Sequence, residues 1–330
     1  MIVRFGYVAM STVVSQASPS KTMTATVFAK LEDREAAVRK LERIAAENLH
    51  NTLRLLRHNR ASDIHLYRFS SKLIPLVGHG LLAGWDPFAA LSESFAQVGE
   101  YVRLHRMRTS FHPDHFTVLS TPRQDVLDNS VADLVRHHTM LEAMGLNRNA
   151  KCNIHVGGSY GDKQAAGQRF TRNFLALPQE VRERITLEND DKTFTAEETL
   201  AICEEVGTPM VLDLHHHMVN NDGESAPSLW PRILRTWEGA GKEEQEALGL
   251  PALPPKIHVS SPREGKDVRA HADYVEAGPL LEFLREIAPD TSALDVMLEA
   301  KMKDGALFRL MEDLAGVQGV RQVDQATVEL

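Results

Sequence analysis

The stretch Ile185–His216, "ITLENDDKTFTAEETLAICEEVGTPMVLDLHH", decides the fold. It opens with a short apolar, β-branched run that ends in carboxylates. "TAEETLAICEEVG" follows, in which Thr195 and Glu198 have the spacing of a helix capping box and Gly207 gives the stop. "MVLDLHH" is a second apolar run, again ending in ionisable groups. A strand, a helix and a strand with polar residues at the strand ends form one unit of a parallel α/β fold.

The same unit recurs outward from this stretch. Strand-like runs lie at residues 2–9, 64–70, 108–113, 152–158, 185–190, 210–216, 256–261 and 295–301, with amphipathic stretches such as 34–59 and 123–145 between them. Eight such units predict a single (β/α)8 TIM barrel over residues 1–316, with a metal site at the C-terminal rim of its strands. A doubly wound open sheet is the alternative, but no glycine-rich phosphate loop follows the first strand, and no nucleotide cofactor is expected. The polar connection at 10–29 reads as a long rim loop, and residues 317–330 read as a weakly ordered tail.

Composition narrows the class. The chain has 330 residues, 43% of them hydrophobic and 25% charged, as in a soluble globular protein. It contains no apolar run of about 18 residues, so no membrane span is expected. Two cysteines and no signal-peptide pattern suggest a cytoplasmic protein, and a monomer is expected. A net charge of -8 argues against a pure DNA-binding module, although bound cations would reverse the local field.

The chemistry collects at the strand ends. His112, His155, Glu188, Asp213, His216, His258 and Glu299 fall in or just after the C-terminal halves of strands three to eight. Lys256 and His258 share one strand face, as do Glu299 and Lys301. So many ionisable groups directed inward require partners, and mixed imidazole and carboxylate donors suit two or three divalent cations, Mn²⁺ or Zn²⁺. Among the three adjacent histidines, His216 is expected to point inward, His217 to contact substrate or support a ligand from behind, and His215 to pack outward.

In order along the chain, "RFGY", "SSKLIPLVGH", "SFHPDHF", "IHVGGSYGDK", "TLEND", "VLDLHHH", "PKIHVSS", "AHADY" and "MLEAK" resemble the UV damage endonuclease family, relatives of endonuclease IV. The resemblance covers residues 2–301. It implies a DNA repair enzyme that nicks damaged double-stranded DNA immediately 5′ of cyclobutane dimers and 6-4 products, leaving a 3′-hydroxyl and a 5′-phosphate. It also implies His112, His155, Glu188, Asp213, His216, His258, His271 and Glu299 as metal ligands, with Glu188 bridging and manganese preferred. His79 matches a further site histidine. Lys256 matches a lysine that can be carboxylated, phosphate binding being its other reading. Tyr7, His115 and Phe116 correspond to side chains that contact the lesion, with "HPDHF" departing from the Gln-Tyr of some members. An abasic-site endonuclease with the same metals is the alternative, followed by a metal-dependent sugar isomerase on the same barrel.

Overall fold

The computed structural model describes residues 1–242, 246–247, 249, 252–265 and 267–330. Strands β1 (Ile2–Val8), β2 (Leu66–Arg68), β3 (Arg108–Phe111), β4 (Lys151–His155), β5 (Ile185–Glu188), β6 (Met210–Asp213), β7 (Lys256–Val259) and β8 (Ala293–Leu298) pair in sequence order. β1 pairs in parallel with both β2 and β8, and this closes the ring. One longer helix follows each strand among the described residues: α1 (Arg34–Ala61), α2 (Ser92–Leu104), α3 (Gln124–Ala143), α4 (Lys163–Leu175), α5 (Ala196–Val206), α6 (Ala226–Trp237), α7 (Ala277–Ile287) and α8 (Lys303–Leu314). The expected (β/α)8 barrel is the fold.

Local signals act where the sequence places them. The Thr195 hydroxyl accepts from the Glu198 amide, and the Glu198 carboxylate accepts from the Thr195 amide at 2.9 Å, which caps α5. Gly207 closes that helix at φ 68°, a left-handed backbone that other residues adopt at a steric cost. At the seam of the barrel, a Cβ on Gly6 would lie 2.1 Å from the Leu66 carbonyl oxygen, so only glycine lets β2 pack this closely on β1.

The strand ends share one level. His155 on β4 is in register with Glu188 on β5, and Asp213 on β6 with His258 on β7. The Glu299 amide donates to the Val259 carbonyl at 2.8 Å, continuing that level past the end of β8. The connection after β1 is tied down by one polar stripe of α1. Asn48 donates to the carbonyls of Lys21 and Leu73, Asn51 to that of Ser18, and Arg54 to that of Gln16. No helix among the described residues is long and apolar enough to cross a membrane.

The end of the chain corrects an expectation. Residues 317–330 do not form a weakly ordered tail: β9 (Arg321–Asp324) and β10 (Thr327–Glu329) make an antiparallel pair, and β10 pairs with Ile2–Arg4 of β1. The reason is the shortness of β2, which pairs only with Gly6–Val8 and leaves the first half of that β1 edge open. Ala326 and Val328 are buried there, and the N-terminal ammonium donates to the Leu330 carbonyl at 2.5 Å. An unpaired strand edge beside a core exposes both apolar surface and backbone polar groups. Deleting residues 320–330 is expected to lower unfolding free energy by about 2–4 kcal/mol, from the lost side-chain burial and ladder bonds. Urea titration of the chelator-treated protein tests this; an unchanged midpoint would show that the hairpin adds no stability.

Candidate metal centre

Glu188 ends β5 with its side chain buried at the mouth of the barrel. Its Oε2 accepts a hydrogen bond from Asn153 of β4, lies 3.2 Å from His112 Nε2, and lies 3.0 Å from His258 Nδ1. Its Oε1 has no hydrogen-bond partner among the described residues and lies 3.4 Å from His216 Nδ1. Two groups of ligand atoms meet at this carboxylate. His112, His155 and Glu188 form one; Glu188, Asp213, His258 and Glu299 form the other, with ligand atoms in each group within 4.8 Å of one another.

The imidazoles are oriented by main-chain carbonyls. His112 Nδ1 lies 3.0 Å from the Pro113 oxygen, His155 Nδ1 3.3 Å from the Glu188 oxygen, and His216 Nδ1 2.9 Å from the Asn189 oxygen. A ring that donates through Nδ1 keeps a lone pair on Nε2, the arrangement that metal-binding histidines use. Asp213 caps the short helix Leu214–Val219 by accepting from the His216 amide at 2.7 Å, while its Oδ2 has no hydrogen-bond partner among the described residues. Both ring nitrogens of the fully buried His258 likewise lack a hydrogen bond there.

Charge in this space is strongly perturbed. Burial would raise the Glu188 carboxyl, but the neighbouring imidazoles of His258 and His155, followed by His112, hold it well below the usual range. Burial pushes Asp213 up to about 6, against the pull of His216 and with help from Glu188 and Glu299. Burial opposes the charge on His216, yet Asp213, Glu188 and Glu299 raise it to about 9. Two buried carboxylates and a half-buried third, orphaned ligand atoms and imidazoles oriented through Nδ1 fit divalent cations held around Glu188.

The triple histidine resolves by packing. Of the three, His216 faces the cluster. His215 does not pack outward: it is buried, with Nδ1 2.8 Å from Ser260 Oγ and Nε2 2.7 Å from the Val268 oxygen, so both nitrogens are engaged. His217 is buried against the loop beyond, its Nε2 3.1 Å from the Glu224 oxygen, and does not reach the cluster. His271 lies at the mouth, its ring centroid 6.3 Å from that of His216 and its Nδ1 without a hydrogen bond among the described residues. A cavity of about 370 Å³ opens beside these residues, lined among others by His115, His155, Asp190, Lys192, His216 and His271.

Other expected site residues lie outside the two ligand groups. Tyr7 is not available for stacking on DNA. It is fully buried on β1, its hydroxyl donates to Asn59 Oδ1 at 2.7 Å, and its ring packs edge-on to Tyr67. His79 is exposed on the loop after β2, where its Nδ1 accepts from the Leu81 amide at 3.2 Å, and it belongs to neither ligand group. His115 and Phe116 are exposed on the loop after β3, with Phe116 60% accessible. Lys256 is buried below the cluster, its Nζ 3.4 Å from Ser110 Oγ, and burial with Arg108 and Arg68 lowers its pKa to about 7.

Three residues at the centre escaped the sequence reading. Asn153 holds Glu188; Asn189 brackets Asp213 through its amide and carbonyl groups; Arg68 forms an ion pair with Glu299. Asn153 lies two residues before His155, so strand alternation alone places it on the same face.

These features occur in a chain that matches the UV-endonuclease UvdE family over residues 3–330. It belongs to that family. Within it, the chain is 45% identical to a UV DNA damage endonuclease of Halalkalibacterium halodurans, over 100% of this chain and 99% of the relative. A UV DNA damage endonuclease of Bacillus pumilus is 42% identical over 99% and 98% of the two chains. The crystal structure of SacUVDE superposes with a TM-score of 0.78 at 28% identity, covering 92% of this chain and 95% of that one. Endonuclease IV from Thermus thermophilus shares the fold, with a TM-score of 0.50 at 13% identity over 94% and 98% of the two chains.

Protons and cations compete for the same nitrogens here. His216 and His258 both hold protons more tightly than a free imidazole, so cation binding must displace them. Mn²⁺ affinity is therefore expected to strengthen as pH rises, levelling off towards about pH 9 where His216 gives up its proton, and binding should release protons, measured by calorimetry in buffers of different ionisation enthalpy. Glu188→Gln should lower affinity by about 100-fold or more, since one substitution alters both ligand groups. Unchanged manganese content in that variant would exclude a bridging Glu188.

Proposed function

We propose that this chain is a metal-dependent DNA repair endonuclease that cuts the phosphodiester backbone immediately 5′ of UV photoproducts, leaving a 3′-hydroxyl and a 5′-phosphate. The observation that carries this reading is the sharing of Glu188 by two ligand groups at an open rim, in a chain that aligns with UV DNA damage endonucleases over its whole length.

Divalent ions held at this site, which we take to be Mn²⁺, would supply the Lewis acidity that phosphodiester hydrolysis needs at the attacking water, the phosphate and the leaving 3′-oxygen. His112, His155, Glu188, Asp213, His216, His258, His271 and Glu299 are the residues that would hold them. The cavity beside His216 and His271 takes the damaged nucleotides, and the open rim admits a duplex, which a closed sugar-isomerase pocket would not. His115 and Phe116 are the exposed groups on the loop after β3 that enter the helix at the lesion. Photoproducts unstack and bend DNA, so a wedge there selects deformable sites over a base sequence.

Lys256 is too deeply buried to meet a DNA phosphate. Its amine, lowered to about 7, instead favours the carboxylated form: the nitrogen adds carbon dioxide and releases a proton, which gives a further oxygen donor below His258.

Cleavage of labelled duplexes tests the function. With Mn²⁺, a duplex carrying one cyclobutane dimer is expected to be nicked at the phosphodiester 5′ to it, and chelator should abolish the cut. An undamaged duplex should remain intact. Cleavage of an abasic duplex alone would move the assignment to abasic-site repair, and no cleavage of any duplex would refute the nuclease. Phe116→Ala is expected to weaken dimer cleavage about tenfold without changing manganese content, because stacking on an unpaired base contributes about 1–3 kcal/mol. Equal cleavage by this variant would remove Phe116 from lesion recognition.

A further inference from the structure

Beside the metal cluster, the rim carries a lysine held in an unusual backbone conformation. Lys303 follows β8 at the start of α8, and its φ of 53° lies in the left-handed region that residues with a Cβ rarely occupy. Hydrogen bonds on both sides hold it there. Before it, the Lys301 and Met302 amides donate to the carbonyls of Ala272 and Asp273 at 3.0 and 3.1 Å. After it, the buried Asp304 carboxylate accepts from the Thr12 amide at 2.8 Å and from the Ser11 hydroxyl, and lies 3.1 Å from His58 Nε2. The loops after β1 and β7 thus clamp the chain around Lys303, and strain kept by such clamping occurs typically at functional positions.

The side chain repeats the pattern. It is half-buried and lies within electrostatic reach of Glu299 and Arg68. Its ammonium makes no hydrogen bond or ion pair among the described residues. The carboxylate nearest in charge, Glu299, is already bound by Arg68 and lies 3.1 Å from His258 Nδ1. Burial and the Arg68 guanidinium both act against a charge at this position, so the protein holds a cation where its own groups stabilise it poorly. An arriving anion would stabilise it.

We infer that Lys303 is a phosphate-binding residue of the DNA track, its ammonium taking a non-bridging oxygen of the backbone beside the scissile phosphodiester. This deepens the nuclease reading and rests on it. The segment around Lys303, "MLEAKMKDG", offers Lys301 and Lys303 alike; Lys301 is exposed, and only the clamped backbone singles out the second.

Steady-state cleavage of the dimer duplex by the Mn²⁺-loaded enzyme, run across a series of salt concentrations, tests the assignment. Lys303→Met is expected to raise KM about tenfold and to reduce the slope of log(kcat/KM) against log[salt] by about one, the signature of a lost phosphate contact. Its manganese content should match that of the unsubstituted enzyme, and Lys303→Arg should restore the slope. An unchanged slope in Lys303→Met, or loss of manganese from it, would overturn the assignment. If the unsubstituted enzyme cuts the dimer duplex while Lys303→Met keeps its full slope, this inference alone fails. If the unsubstituted enzyme cuts nothing, both readings fail.

Discussion

A carboxylate buried at the mouth of a barrel must be answered by positive charge, and Glu188 is the residue around which the rest of the site is arranged. His112 just past β3, Asn153 of β4 and His258 of β7 each set a nitrogen beside its Oε2, and His216 beyond β6 lies beside Oε1. Removing such a group from water is expensive unless its partners are well placed. The register of β4 with β5 and of β6 with β7 sets these partners at one height, so the parallel ladder that closes the fold also aligns the ligands.

Main-chain carbonyls do a second part of the alignment. The oxygens of Pro113, Glu188 and Asn189 each face the Nδ1 of a different histidine, and two of these carbonyls belong to consecutive residues of "LEND". That short segment therefore supplies a carboxylate, orients two rings, and through the Asn189 side chain holds Asp213. Because these bonds come from the backbone just past the strands, the ring orientations follow from how each strand ends.

The barrel seam is the other governing constraint. β2 spans three residues and packs against Gly6 so closely that a methyl group there would strike the Leu66 carbonyl. Arg68, at the end of this short strand, meets Glu299 from the far side of β1. Below it, the same shortness leaves a β1 edge that the C-terminal hairpin covers. The short β2 thus links the end of the chain, the seam and the charge next to Lys303.

What the sequence determined by itself rests on local periods. Alternation along strands and helical repeats between them identified the barrel and placed His112, His155, Glu188, Asp213, His258 and Glu299 at strand ends, and the structure gathers these six. Thr195, Glu198 and Gly207 bounded their helix because capping is a bond between neighbours in sequence. What only the tertiary structure decided depends on contacts far apart in the chain. His215, His216 and His217 lie in one turn, and nothing local tells which faces the ligands; Ser260, Val268 and Glu224 take the other two. Tyr7 reads as an available aromatic until Asn59 and Tyr67 enclose it. The tail looks weak as a sequence because its partner is the first strand: Glu329 meets Ile2 only once the ring has closed, and a similar separation along the chain hid Arg68 from Glu299.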